Sequence, residues 1–349
     1  MDKNVPSLAE NEVENKFLDT FKILLAPLAG VSDMAFRVIC QNLGADLTFV
    51  EMISAKALVM DSQKTLQMME RHPREDILGI QITGDGPEII GKATQLLNKH
   101  NFDHLDLNMG CPVKKVVKTG CGSALIRDPD LVYKVTKAAV DESKVPVSVK
   151  IRLGWDENSK NFLEVGDAVE KAGAVWLTVH GRTRSARYDV PVDLGAFDKL
   201  KKTLSIPVIG NGNIFNKSDL DLMIDRSNVD GAMVSRGALG NPWIFTSLKN
   251  TQFKLDIETW FSVVEEHLQL QKDVYKSESA GVICFRKHLL WYLKGWSQTR
   301  QTKERLIQIT KYDELLDLIK NFVDFQISQP SSRAFRSIKE NIESSRNFI

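Results

Sequence analysis

From about residue 22 to residue 248, short apolar and β-branched runs alternate with longer stretches whose apolar residues recur every three or four positions. A short run bounded by turn residues predicts a strand, and the wider spacing predicts an amphipathic helix. The strand-like runs are 23–30, 47–52, 77–84, 104–110, 146–154, 175–183, 207–213 and 231–239. Between them, 128–143 predicts a helix with Asp128 as N-cap and Pro129 at its first position, and 162–173 predicts one that closes on Gly173. Eight strand–helix units in succession are the arithmetic of an α/β fold, the (β/α)8 TIM barrel. A doubly wound sheet competes, but no G-x-G-x-x-G follows the first strand.

Past residue 255 the strand signals stop. Helical spacing continues through 256–277, 281–309 and 312–326, and a polar tail spans 329–349. The expected organisation is an N-terminal extension (1–21), a barrel (22–250) and a smaller all-helical C-terminal domain with its tail (251–349).

Polar or glycine-rich residues close almost every strand, and in a barrel those ends meet on one face, which carries the active site. Turn chemistry accounts for some of them. It does not account for a set that holds Gln81, Asn108, Cys111, Lys150, Arg152, His180, Arg182 and Asn211. Lys150 and Arg152 alternate on one strand, so both can face the mouth, where a buried cation needs an anion or an electron-rich ring. The loops at 210–214 and 235–242 are glycine-rich and include Arg236, which predicts a phosphate site after strands seven and eight. Cys111 stands between Gly110 and Pro112 on a turn. Free thiols titrate near about 8.5, so one placed here can donate a proton as readily as a thiolate can attack. Cys121, on the same loop, is its rival; Cys40 reads as core and Cys284 lies in a helix of the tail.

Composition narrows the partners. The 349 residues carry a formal charge of +1 and are 43% hydrophobic, which excludes a wholly basic nucleic-acid binder and leaves enough for a sizeable core. Four cysteines without a C-x-x-C pair predict neither a disulfide framework nor a structural zinc. The start of the chain is polar and no apolar stretch approaches ~18 residues, so the expected location is the cytoplasm, with no membrane partner. Positive charge is local instead. Lys114, Lys115, Lys118 and Arg127 follow Cys111 with no acid among them, and Arg182, Arg184 and Arg187 follow the sixth strand. Residues 281–310 hold Arg286, Lys287, Lys294, Arg300, Lys303 and Arg305 against Glu304, with Trp291, Tyr292 and Trp296 interleaved. Basic and aromatic groups together predict a phosphate-rich polymer such as folded RNA.

The stretches LAPLAGVSDMAFR (25–37), LNMGCPVKKV (107–116), VKIRLGW (149–155), VHGRTR (179–184), IGNGNI (209–214), VSRGALGNPWIF (234–245) and RKHLLWYLKG (286–295) resemble the tRNA-dihydrouridine synthase family, most closely its bacterial B subgroup. The resemblance implies an FMN-dependent barrel followed by a helical domain that grips tRNA. It places Pro27, Leu28, Ala29, Gln81, Lys150 and His180 at flavin contacts, with Asn211, Gly212, Asn213, Ser235, Arg236 and Gly237. Asn108, Cys111 and Arg152 would face the uracil, and Lys114, Lys115, Arg182, Arg286 and Lys287 would meet the tRNA. The implied reaction uses NADPH to reduce the flavin, delivers a hydride to carbon 6 of a flipped-out uridine and takes a proton for carbon 5 from Cys111. It points to position 17 of the D-loop and to a monomer without a stable protein partner. The family often has an acid where Asn213 stands and a glycine where Ser235 stands. Two other readings compete: a Schiff-base aldolase with Lys150 as nucleophile, and a non-catalytic tRNA-binding protein.

Overall fold

The computed structural model describes residue 20 and residues 22–329; the rest of the expected extension and most of the polar tail lie outside them. Nine strands form one sheet: β1 (Lys22–Leu25), β2 (Leu47–Phe49), β3 (Ile53–Ser54), β4 (Leu78–Thr83), β5 (His104–Met109), β6 (Val147–Arg152), β7 (Trp176–His180), β8 (Val208–Asn211) and β9 (Gly231–Val234). All are parallel, and the β1–β9, β1–β2 and β2–β4 pairings close a ring of eight. The expected TIM barrel is therefore present. β3 is an addition that the sequence did not announce, two residues laid beside the end of β4.

Several strands stop earlier than their apolar runs. β1 ends at Leu25 because Pro27 has no N–H to continue the ladder, and Val31 and Ser32 instead donate their amides back to the Leu28 carbonyl at 2.9 and 3.0 Å. β9 ends at Val234, and Arg236–Ala238 forms a 3-10 turn. The surplus residues become the rim. Asp128 caps the helix Pro129–Glu142 as expected, accepting from the amides of Asp130 and Leu131. Gly173, at φ +91°, follows the helix Phe162–Lys171.

The barrel interior holds an apolar cluster of Leu24, Leu47, Phe49, Trp176, Ile209 and Met233. Against it, β4 to β6 put Gln81, Asp106 and Ser148 side by side, and His104 stacks on Trp176 with ring centroids 3.9 Å apart, all four polar residues being at most 3% exposed. Burying so many polar groups is tolerable only because they satisfy one another.

Beyond the barrel, the helices Ile257–Val274, Glu278–Tyr292, Arg300–Leu306 and Tyr312–Ser328 enclose their own apolar cluster. That cluster also takes in Trp243 and, from the helix Met34–Asn42, Ala35, Val38 and Ile39, while Phe36 and Cys40 of the same helix belong to the barrel core. Asp33 caps this helix through the Phe36 amide and accepts two bonds from Gln271 Nε2 at 3.0 and 2.9 Å. His288 Nε2 and Lys287 Nζ lie 3.5 and 3.6 Å from its carboxylate.

Candidate active site

A cavity of about 270 Å3 opens where the strands end, near the small end of the range for ligand clefts (about 300–1,000 Å3). Going round the barrel, Pro27, Leu28 and Ala29 contribute from the loop after β1, Gln81 from β4, and Asn108 and Cys111 from β5 and its loop. Lys150 and Arg152 come from β6, His180 from β7, Asn211, Gly212 and Asn213 from β8, and Ser235, Arg236 and Gly237 from the turn after β9. Alternation along each strand is what turns every second residue inward.

The polar side chains are cross-linked. Lys150 Nζ donates to Asn211 Oδ1 at 3.0 Å, and Asn211 Nδ2 donates to the Met233 carbonyl and to Ser235 Oγ. Gln81 Nε2 donates to Asp106 at 2.6 Å, and Asn108 Nδ2 donates to Gln81 Oε1 at 2.7 Å. Asn108 Oδ1 then accepts the amides of Gly110 and Cys111, an Asx turn that sets the thiol at the rim. Arg152 ties the same turn down from β6, donating to the Gly110 and Thr183 carbonyls.

Lys150, Arg152 and Arg236 line the cavity and no acid does. Burial, followed by Arg152, brings Lys150 down to about 8, while Asp106 and Cys111 oppose the shift. Burial and the surrounding Arg152 and Lys150 push His180 well below its ordinary range, so it is a neutral imidazole. A positive, partly desolvated mouth of this kind selects an anionic occupant.

Five of the expected contacts stand elsewhere. Arg182 is 2% exposed and does not line the cavity: its guanidinium donates to the Val190 and Tyr188 carbonyls and to Asn213 Oδ1, and lies 3.0 Å from His180 Nε2. Lys114 and Lys115 are exposed on the one-turn helix Lys114–Val117 just past Cys111. Arg286 is half-buried and bonded to the Ile309 carbonyl, and Lys287 faces Asp33. Of the interleaved aromatics, Tyr292 and Trp296 give no stacking surface, being 2% and 6% exposed in the helical core, while Trp291 is half-buried.

The chain matches the family described as dihydrouridine synthase (Dus) over residues 24–328. This chain is a dihydrouridine synthase family member. It is 36% identical over 307 residues to tRNA-dihydrouridine synthase B of Pasteurella multocida, covering 86% of this chain and 92% of that one. The Shewanella oneidensis protein of the same name is 36% identical, covering 87% and 95%, and a probable tRNA-dihydrouridine synthase of Rickettsia bellii is 39% identical, covering 78% and 86%.

Within this family member, Asn213 and Ser235, where the resemblance leads one to expect an acid and a glycine, are accommodated locally. Asn213, at φ +55°, uses its amide oxygen to accept from Arg182, and Ser235 accepts from Asn211. Gly237 is required by crowding, since a Cβ there would lie 2.1 Å from the Ile214 carbonyl oxygen. Sequence reasoning missed Tyr188 and Asp106. Tyr188 lines the mouth, with its ring 4.3 Å from the Arg236 guanidinium and stacked beside His180. Its signal was a lone aromatic in the basic run after β7. Asp106 was hidden in an apolar run, where only its two-residue spacing from Asn108 marks it as inward-facing.

Proposed function

We propose that this protein reduces a uridine in the D-loop of tRNA to dihydrouridine, with FMN as bound cofactor and NADPH as reductant. The observation that carries the reading is a thiol on a fixed turn at the edge of an acid-free, cationic cavity. The donor set fits a flavin phosphate and ring. Arg236 and the glycine-rich turns after β8 and β9 suit a phosphate, while Lys150, oriented by Asn211 Oδ1, and the second N–H of the Gln81 amide offer donors to a pyrimidine edge. Bound FMN supplies the hydride that carbon 6 of the uracil receives.

The protein's own groups do the rest. Lys150 holds negative charge near the base of the cavity, and Arg152, locked by two carbonyls, keeps a fixed cation beside the thiol. Cys111 donates its proton to carbon 5 of a uridine flipped out of the tRNA fold. Lys114 and Lys115, exposed on the one-turn helix beyond the thiol, meet the phosphates that flank it. Arg286 and Lys287, on the helix Glu278–Tyr292, contribute to the tRNA-binding side. The target is position 17. The same reading makes it a cytoplasmic monomer; among the described residues no helix is long and apolar enough to cross a membrane.

Cys111→Ala tests the assignment. The variant should keep bound FMN and its reduction by NADPH, and should lose dihydrouridine formation on unmodified tRNA by at least about a hundredfold, the lower scale of general-acid catalysis. Unchanged product would move the proton donor elsewhere, and a wild-type protein that takes up no FMN would sink the reading itself.

A further inference from the structure

The lumen of the barrel holds a carboxylate that no step above uses. Asp106, 0% exposed, receives Gln81 Nε2 on one oxygen at 2.6 Å and Ser148 Oγ on the other at 2.5 Å, and Ser148 Oγ is in turn 2.8 Å from His104 Nε2. We propose that Asp106, as a carboxylate, is the positioning residue for the thiol: it fixes the amide orientations of Gln81 and Asn108 and so holds the turn that carries Cys111. The inference deepens the preceding reading, since the thiol it positions is the proposed acid.

Direction carries the argument. A carboxylate oxygen can only accept, so Gln81 must present its NH2 to Asp106. Its oxygen is then left for Asn108 Nδ2, and the Asn108 oxygen is left for the amides of Gly110 and Cys111. A proton on the oxygen facing Gln81 reverses every link, and the Asn108 NH2 ends up against two N–H donors. A proton on the other oxygen requires Ser148 to turn its hydroxyl towards His104, and His104, held neutral by burial with a pKa of about 3, to change tautomer. Of the charged groups around Asp106, Lys150 on β6 favours ionisation; burial opposes it more strongly and raises Asp106 to about 6. A raised carboxyl pKa means the ionised relay is complete above that pH and lost below it.

The test is hydrogen exchange at the Cys111 amide in flavin-free protein, between about pH 5 and 8 and corrected for the intrinsic rate. Protection should fall about tenfold as pH drops through about 6, the scale of one hydrogen bond. Asp106→Leu, which leaves Gln81 no acceptor on that side, should lower the protection about tenfold at every pH while the barrel amides stay protected. Ser148→Ala removes a donor to the carboxylate, so the midpoint should move to higher pH, and this variant decides if Asp106→Leu does not fold. Full Cys111 protection in folded Asp106→Leu, or a midpoint unmoved in Ser148→Ala, overturns the proposal. Neither measurement needs cofactor or tRNA. A protein showing this profile but forming no dihydrouridine would instead count against the functional reading alone.

Discussion

Replacing Arg182 with methionine separates two accounts of that side chain. As a phosphate contact, it would add to the salt dependence of tRNA binding; as an internal brace, it would not. The guanidinium donates to the carbonyls of Val190 at 2.6 Å and Tyr188 at 2.9 Å, to Asn213 Oδ1 at 2.8 Å, and approaches His180 Nε2. Tyr188 and Val190 are 44% and 43% exposed, so water can replace the donor to their carbonyls. Asn213 is exposed, so water can replace the donor to its Oδ1 as well, and His180 Nε2 is left as the poorly solvated acceptor, at about 1–3 kcal/mol. Part of that loss is returned, because burial, then Arg236 and Arg152, already hold the Arg182 guanidinium down to about 10. The expected net loss is about 1–2 kcal/mol, or about 3 °C in melting temperature. Tyr188 should loosen with its loop and FMN affinity should fall about tenfold, while the slope of log affinity for tRNA against log salt stays unchanged. The assays are thermal melting, flavin titration and tRNA binding at several salt concentrations. A variant that melts like the parent but has a salt slope lowered by about 0.7–0.9 would refute the brace.

Three further outcomes follow from the same geometry. Lys114→Ala with Lys115→Ala should lower the tRNA salt slope by about 0.7–0.9 per lost contact and leave FMN reduction by NADPH intact. Lys150 is brought down to about 8, so it is cationic below that pH and neutral above it. FMN affinity, followed by flavin fluorescence, should therefore decline as pH rises through about 8, and Lys150→Met should bind more weakly with no such decline. Glu75→Gln should cost about 3–5 kcal/mol in urea unfolding, because it strips the partner from Arg37, whose guanidinium is 2% exposed and 2.6 Å from the Glu75 carboxylate.

The barrel was legible because apolar runs and turn residues report strands whatever the chain does at long range. Alternation then placed Lys150, Arg152 and Asn211 inward without further information. Basic residues were harder to read, since a sequence shows charge and not direction. Arg182 ends on backbone carbonyls inside the fold, Arg37 on the buried Glu75 carboxylate, and the half-buried Arg286 on the Ile309 carbonyl. Trp296 and Tyr292 read as a stacking platform because helical spacing does not say which side another helix will cover. Asp106 was missed for the opposite reason: one acid in the run HLDLNM looks like an interruption until the register sets it beside Gln81 and Ser148.

The helix Met34–Asn42 belongs to two cores at once, giving Phe36 and Cys40 to the barrel and Ala35, Val38 and Ile39 to the helical cluster. Cutting the chain near residue 250 would therefore strip one flank of a helix built into the barrel and leave the carboxylate of Asp33 without Gln271, Lys287 and His288. The change of composition near that point marks a seam in the text of the chain but not in its cohesion. The two parts should melt in one calorimetric transition, and a catalytic half expressed alone should aggregate. An enzyme wired this way cannot trade its helical part for another by simple recombination, because the replacement would have to complete the barrel's own first helix.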